Sequence, residues 1–208
     1  MAANFSLDHG DLTPEEIARA ADVATRAFID DKYFRYLMAD ERVRARTLPL
    51  LFSSQLRHSG DHAHAVSARD ESGNIVGVAL WVEPGHWPPP LSVQLAQMPS
   101  SLRALFRHPG TLRRAGTYLR TILRVHPKEL NWYLPLLAVD PSIQGQGAGT
   151  MLMHEGVARM ERDGVGGYLE TQKKENHAFY NRFGYELRDT LHPVPDGPAY
   201  YTMWRPAD

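Results

Sequence analysis

Apolar positions set out the elements before any chemistry is considered. Leu134 to Val139 is a nearly continuous apolar run, the pattern of a strand covered on both faces. Asp140-Pro141 ends it, because proline cannot donate to a sheet ladder. Beyond Gly145, Gly147 and Gly149, the apolar positions Met151, Leu152, Met153, Val157 and Met160 predict a helix over 150–163, which Gly164 stops. Nearer the N-terminus, Thr13-Pro14-Glu15-Glu16 reads as a capping box. Ile17, Ala20, Ala21, Ala24, Ala27 and Phe28 follow it on one helical face. A break at Asp30–Phe34 precedes a second helical stretch reaching about Ser54. Residues 63–69 and 74–83 predict a hairpin around the Asp70–Gly73 turn. Pro88-Pro89-Pro90 then interrupts the pattern, and helices are predicted over about 92–107 and 110–125. A short strand at 168–171, a helix from Asn176 to the Gly184 stop, and strands at about 185–190 and 199–205 complete the chain.

At 208 residues the sequence predicts a single domain over 1–208, with a helical insert at about 85–128. A net charge of −1 gives no global field to attract nucleic acid or a membrane surface. The charge is uneven, however. Residues 84–128 carry seven Lys or Arg (Arg103, Arg107, Arg113, Arg114, Arg120, Arg124 and Lys128) and no Asp or Glu. Taking those seven charges from the net −1 leaves the rest of the chain at −8. The insert reads either as a binding surface for an anion or as two amphipathic helices. In the second reading arginines form the wet face, and Leu102, Leu105, Phe106, Leu119, Ile122 and Leu123 the dry one. No basic region followed by an apolar core opens the chain, and no apolar run approaches the roughly 20 residues that span a bilayer. Cytoplasmic localisation is expected. With no cysteine, disulfides and thiolate catalysis are excluded.

The strand–glycine turn–helix unit at 134–163 is suited to an anion. Free N–H groups and the positive end of the helix dipole favour phosphate there. A P-loop would need Gly-Lys-Ser/Thr, and a dinucleotide fingerprint Gly-x-Gly-x-x-Gly. Here the glycines alternate, with Thr150 after the last. Both nucleotide readings fail. His58, His62 and His64 invite a metal reading, but they straddle a predicted helix end and strand start, so no metal site is expected. His154 reads as a surface residue.

Gln144, Gly147 and Gly149 resemble the acyl-CoA-binding pattern Gln/Arg-x-x-Gly-x-Gly/Ala of the GNAT superfamily of N-acetyltransferases. Asn176, Phe179, Tyr180 and Gly184 resemble one common form of that family's last helix, Asn-x-x-Phe-Tyr-x-x-x-Gly-Phe, with Tyr185 in place of Phe. Together with Trp132-Tyr133-Leu134, Leu169-Glu170-Thr171 and Pro195-Asp196-Gly197-Pro198, these segments look most like the puromycin N-acetyltransferase-like branch. The likeness is close over about 131–205 and only architectural over 1–84.

The resemblance implies an α/β (α+β) fold. It has a mixed, mostly antiparallel sheet flanked by helices and splayed at the acetyl-CoA strand, with the helical insert around 88–127. It implies acetyl-CoA as cosubstrate, held by Leu137, Ala138 and Val139 along the pantetheine arm. Gln144, Gly145, Gln146, Gly147, Ala148, Gly149 and Thr150 would lie at the pyrophosphate, with Asn176 supporting the CoA. Tyr180 is the expected general acid, since a phenol keeps its proton at neutral pH. Glu170 is the expected base, with orientation of the acceptor ammonium, a structural role, His177 as base, or a water chain left open. Asp30, Asp31, Tyr33 and Phe34 are weaker acceptor-site candidates, and an acidic surface corner is the competing reading. The implied activity is transfer of an acetyl group to a primary amine of a small molecule, by a monomer or homodimer. Acetylation of a protein or peptide and a non-catalytic acyl-CoA sensor are the alternatives.

Overall fold

A computed structural model describes residues 4–57, 61–92, 94 and 109–207. Its centre is a seven-stranded sheet in the order β1-β2-β3-β4-β5-β7-β6. The strands are β1 (Ser6–Asp8), β2 (Ala63–Arg69), β3 (Ile75–Val82), β4 (Asn131–Val139), β5 (Gly166–Thr171), β6 (Glu186–Leu191) and β7 (Tyr200–Arg205). Every neighbouring pair is antiparallel except β4 with β5, which is parallel. This is the mixed, mostly antiparallel architecture the sequence predicts.

The helices are α1 (Pro14–Phe28), α2 (Lys32–Leu37), α3 (Glu41–Arg57), α4 (Pro109–Val125), α5 (Ala148–Asp163) and α6 (His177–Asn181). The Thr13–Glu16 capping box forms as predicted, with Thr13 Oγ1 accepting from Glu16 N–H and Glu16 Oε2 from Thr13 N–H. One core layer joins Ala20, Val23 and Ala24 of α1 and Leu48 and Phe52 of α3 to the sheet at Val78 and Leu80. The other lies under α5, where Leu152, Met153 and Met160 meet Trp81, Leu134 and Met203. Gly156 lets α5 approach, since a Cβ there would sit 2.1 Å from the Trp81 ring. No helix among the described residues is long and apolar enough to cross a membrane.

Three expectations change. The second helical stretch is two helices, α2 and α3, separated at Met38–Asp40. Arg44 holds that corner, donating to the carbonyls of Ile29, Met38 and Ala39. Strand β1 was not predicted; it adds to the edge of β2, and Arg69 pairs with Asp8 at 2.7 Å. In the insert, α4 matches the predicted 110–125 helix, and of 92–107 only residues 92 and 94 are described. Arg103, Arg107, Leu102, Leu105 and Phe106 lie outside the described residues.

α4 is fastened by its hydroxyls and one arginine. Thr111 donates to Leu37 O, Arg114 to Tyr36 O, and the buried Tyr118 to Pro198 O. Arg113, Arg120 and Arg124 are exposed, as in the solvated-face reading. The dry face differs from the prediction. Ile122 is half-buried, but Leu119 and Leu123 remain 51% and 47% exposed.

Candidate active site

The site begins where β4 leaves β5. Their parallel pairing runs from Asn131 with Gly166 to Leu134 with Leu169 and then stops. On its other side β4 stays paired with β3, but the register slips. Leu80 faces Leu136 while Val82 faces Tyr133, so β4 carries an extra residue at Leu134–Pro135. Such a bulge bends a strand. Asp140 N–H bonds to Val76 O on the β3 side, and successive N–H groups alternate between strand edges. Leu137 and Val139 therefore present their backbone to the open edge, and Ala138 gives its own to β3. Pro135 falls on the open edge as well and has no N–H to offer β5. The predicted splay has this local cause.

Beyond β4, Pro141–Ile143 forms a short 3-10 turn whose start is capped by Asp140, with Oδ1 accepting from Ser142 N–H. Arg26 of α1 grips Asp140 from outside, its terminal nitrogen 2.6 Å from Oδ2. Gln144 turns back to donate to Val139 O at 3.0 Å. Gly145 has φ +80° and Gly147 φ +108°, values that side-chain-bearing residues rarely adopt. Gly147 is the N-cap of α5 and brings no side-chain cap, so the first N–H groups of α5 have no intrahelical acceptor and are available to an anion. Gly149 serves packing: a Cβ there would lie 3.4 Å from Val139 and 3.5 Å from Phe179.

One cavity of about 1330 Å³ runs from this loop, past the splayed strands, to a chamber between α1–α3 and α4. It is lined by Leu137, Ala138, Val139, Gln144, Gly145, Gly147, Ala148, Gly149, Thr150 and Asn176 of the expected cofactor set. Gln146 is the exception. It is not on the cavity wall, and its N–H is spent on Ile143 O. Arg182, missed in the sequence, also lines the cavity and lies over the Phe179 ring at 4.9 Å. It belongs to the same short helical segment as Asn176 and Tyr180, and only its positive charge beside them marked it.

Tyr180 and Glu170 both line this cavity. Tyr180 is 7% exposed, and burial raises its phenol pKa well above the usual value, so the group stays protonated. Glu170 is partly exposed, into the cavity, but its Oε1 is shut off from solvent and has no hydrogen-bond partner. Burial pushes its pKa up to about 7, against the opposing pull of the Tyr133, Tyr168 and Tyr200 hydroxyls. A carboxyl poised near neutrality at a cavity wall has the properties of a proton acceptor. His177 lies elsewhere. It is not on the cavity wall, and its ring packs against Tyr201 at 4.6 Å.

The acceptor-side expectations divide. Asp31, Tyr33 and Phe34 line the cavity; Asp30 does not, and its side chain is 79% exposed 3.8 Å from Arg44. Asp31 is the N-cap of α2, accepting from Tyr33 N–H, and its other oxygen lies 3.4 Å from Lys173. The histidines also differ from expectation. His62 and His64 do converge, on Glu83, at 2.8 and 2.7 Å from its two oxygens. His86 stacks on His62 with ring centres 3.4 Å apart, and one ligand atom each of His62, Glu83 and His86 lie within 4.8 Å of one another. His58 lies outside the described residues. His154 is a surface residue beside Phe183.

The geometry agrees with comparison against known proteins. A structure described as histone acetyltransferase HPA2 and related acetyltransferase, from Corynebacterium glutamicum, superposes with a TM-score of 0.69 at 25% identity, covering 98% of this chain and 97% of the other. The paia N-acetyltransferase of Thermoplasma acidophilum, solved with coenzyme A, gives 0.58 at 14% identity over 97% and 99%. The ribosomal-protein-S18-alanine N-acetyltransferase of Escherichia coli gives 0.55 at 15% identity over 99% and 95%. The last two share the fold. The sequence profile of the Acetyltransferase (GNAT) family matches residues 25–185, and the chain belongs to that family.

Proposed function

We propose that this acetyltransferase moves the acetyl group of acetyl-CoA directly to a primary amine of a small molecule, such as an aminonucleoside or another xenobiotic, as a single cytoplasmic domain. Acetyl-CoA as cosubstrate goes with the family, and the chain has features that fit it. An uncapped helix end behind two positive-φ glycines suits a pyrophosphate, and an open strand edge suits the amide-bearing pantetheine arm.

In this reading Leu137 and Val139 pair with the pantetheine arm, and an N–H of that edge meets the negative charge that develops on the thioester oxygen. Gly145, Gly147, Ala148, Gly149 and Thr150 surround the pyrophosphate, with Gln144 bracing the turn and Arg182 and Asn176 closing the CoA side. Glu170 takes a proton from the acceptor ammonium, directly or through one water, and the freed amine then bonds to the acetyl carbon. Tyr180 gives its proton to the sulfur as the carbon–sulfur bond breaks, and the second proton that the nitrogen sheds in becoming an amide returns to the Tyr180 oxygen.

The observation that carries this reading is the placing of Glu170 and Tyr180 on one cavity together with the glycine loop. A sensor would need the loop alone. Amine-dependent release of CoA from acetyl-CoA tests the reading, and saturable acetyl-CoA binding without turnover on any amine would contradict it.

A further inference from the structure

The chamber beyond Glu170 is walled by apolar groups, two of them half-exposed leucines. On α4, Thr111, Ala115, Leu119 and Leu123 recur every fourth residue and all line the cavity. Leu119 and Leu123 are 51% and 47% exposed, although they were expected to be the helix's dry side. Across from them Phe28, Phe34 and Phe52 form a ring cluster with centres 5.6 to 5.9 Å apart, and each lines the cavity. A wall of half-exposed leucine and clustered phenylalanine gains most from an occupant with a large apolar body.

Charge narrows the choice. Of the three carboxylates on the cavity wall, Asp31 is occupied by Tyr33 N–H and Lys173, and Asp61 is at an exposed position. Glu170 is left to meet a single amine. Beside the leucine stripe, α4 carries exposed Arg120 and Arg124, and no acidic residue occurs from 84 to 128. Those two arginines lie off the cavity wall and bias only the field at its mouth. On the wall itself a second ammonium would find Asp31 already paired with Lys173, Arg182 as a further cation, and only the exposed Asp61 to offset it.

We propose that the acceptor is a primary amine on a bulky aryl or branched-alkyl body with no second positive charge. Polyamines, aminoglycosides and lysine-rich peptides would then be poor substrates. This rests on the proposed acetyltransferase reading and narrows its substrate class.

The test compares 4-phenylbutylamine with 1,4-diaminobutane, which share a four-carbon amine and differ in a phenyl ring or a second ammonium. With saturating acetyl-CoA, kcat/KM for the phenyl compound is expected to be higher by at least about thirtyfold, the discrimination that burying one ring supplies. Leu119→Asp and, separately, Leu123→Asp should each lower that kcat/KM by about tenfold or more while acetyl-CoA affinity by calorimetry stays unchanged. Calorimetry of 4-phenylbutylamine on the CoA-loaded protein gives a second readout independent of turnover. Equal or reversed preference between the two amines, or aspartate variants that keep full activity on the phenyl compound, would overturn the substrate class and leave the acetyltransferase reading standing. Failure of both amines to release CoA, with acetyl-CoA bound and no calorimetric difference between them, would overturn both.

Discussion

Pro135 and Glu170 are the first residues past the last paired rung of β4 and β5, Leu134 with Leu169, and both line the cavity. The proline withholds an N–H just where the strands part, and the carboxyl stands at the opening so made. Strand geometry and proton chemistry thus meet within one residue of each other on two strands.

The raised pKa of Glu170 gives a pH signature. As the base it must be ionised, so kcat/KM should rise with pH to a plateau above about 7. Glu170→Gln should abolish that limb and lower kcat by about 10²–10⁴-fold, as loss of an acid–base group usually does. A steady-state pH profile checks both. A stability trend should accompany it. Between 4.5 and about 7 the folded protein keeps a proton that the unfolded chain has released. That contribution is full below 4.5 and lost as pH rises through about 7. The Tm of Glu170→Gln should therefore gain on wild type between about pH 5 and pH 8.

Tyr180→Phe removes a hydroxyl and keeps a ring that is 7% exposed, so the fold should tolerate it. kcat should fall by about tenfold or more while the Kd for acetyl-CoA stays within about twofold of wild type. Stopped-flow CoA release alongside calorimetric titration separates the two effects.

Gly147 takes φ +108° with open space around it, so its alanine variant suffers from backbone conformation rather than collision. Gly147→Ala should cost about 1–2 kcal/mol locally and weaken acetyl-CoA about tenfold or more, because the loop's N–H groups must turn to relieve it. Calorimetry on the purified variant reads the affinity directly.

Gly156→Ala is the opposite case. Its new methyl would land 2.1 Å from the Trp81 ring, in a core where neither α5 nor β3 has room to yield. Overpacking of this kind costs about 1–3 kcal/mol or more, and thermal unfolding should show a drop in Tm.

How much of this was legible depended on whether the signal was local. The 134–149 unit could be read because Pro141 and the alternating glycines act on their own backbone, and Thr13–Glu16 because a capping box is contained in four residues. The split of α2 from α3 was written in Asp40, whose Oδ1 accepts from Arg42 N–H, but that cap lay inside an otherwise helical pattern. Strand β1 was not legible. It has three residues at a sheet edge and little apolar content, and it is fastened by Arg69, which is 61 positions from its partner Asp8. The period of α4 grouped Leu119 with Leu123 correctly, yet a period says which residues share a face and nothing about what covers it. Gln146 sits among the glycines by position but turns its N–H into the 3-10 turn and stays off the cavity wall, which its place in the sequence did not reveal. Nor did the sequence separate Asp30 from its neighbour Asp31, which caps α2 and lines the cavity where Asp30 does not.

The most direct test of the account is CoA release from acetyl-CoA with a primary amine added, in wild type, Glu170→Gln and Tyr180→Phe. The account predicts release that depends on the amine and falls at least about tenfold in each variant, with acetyl-CoA affinity kept in both. Full amine-dependent release in both variants would contradict the roles given to Glu170 and Tyr180, and bound acetyl-CoA with no release on any amine would contradict the transferase itself.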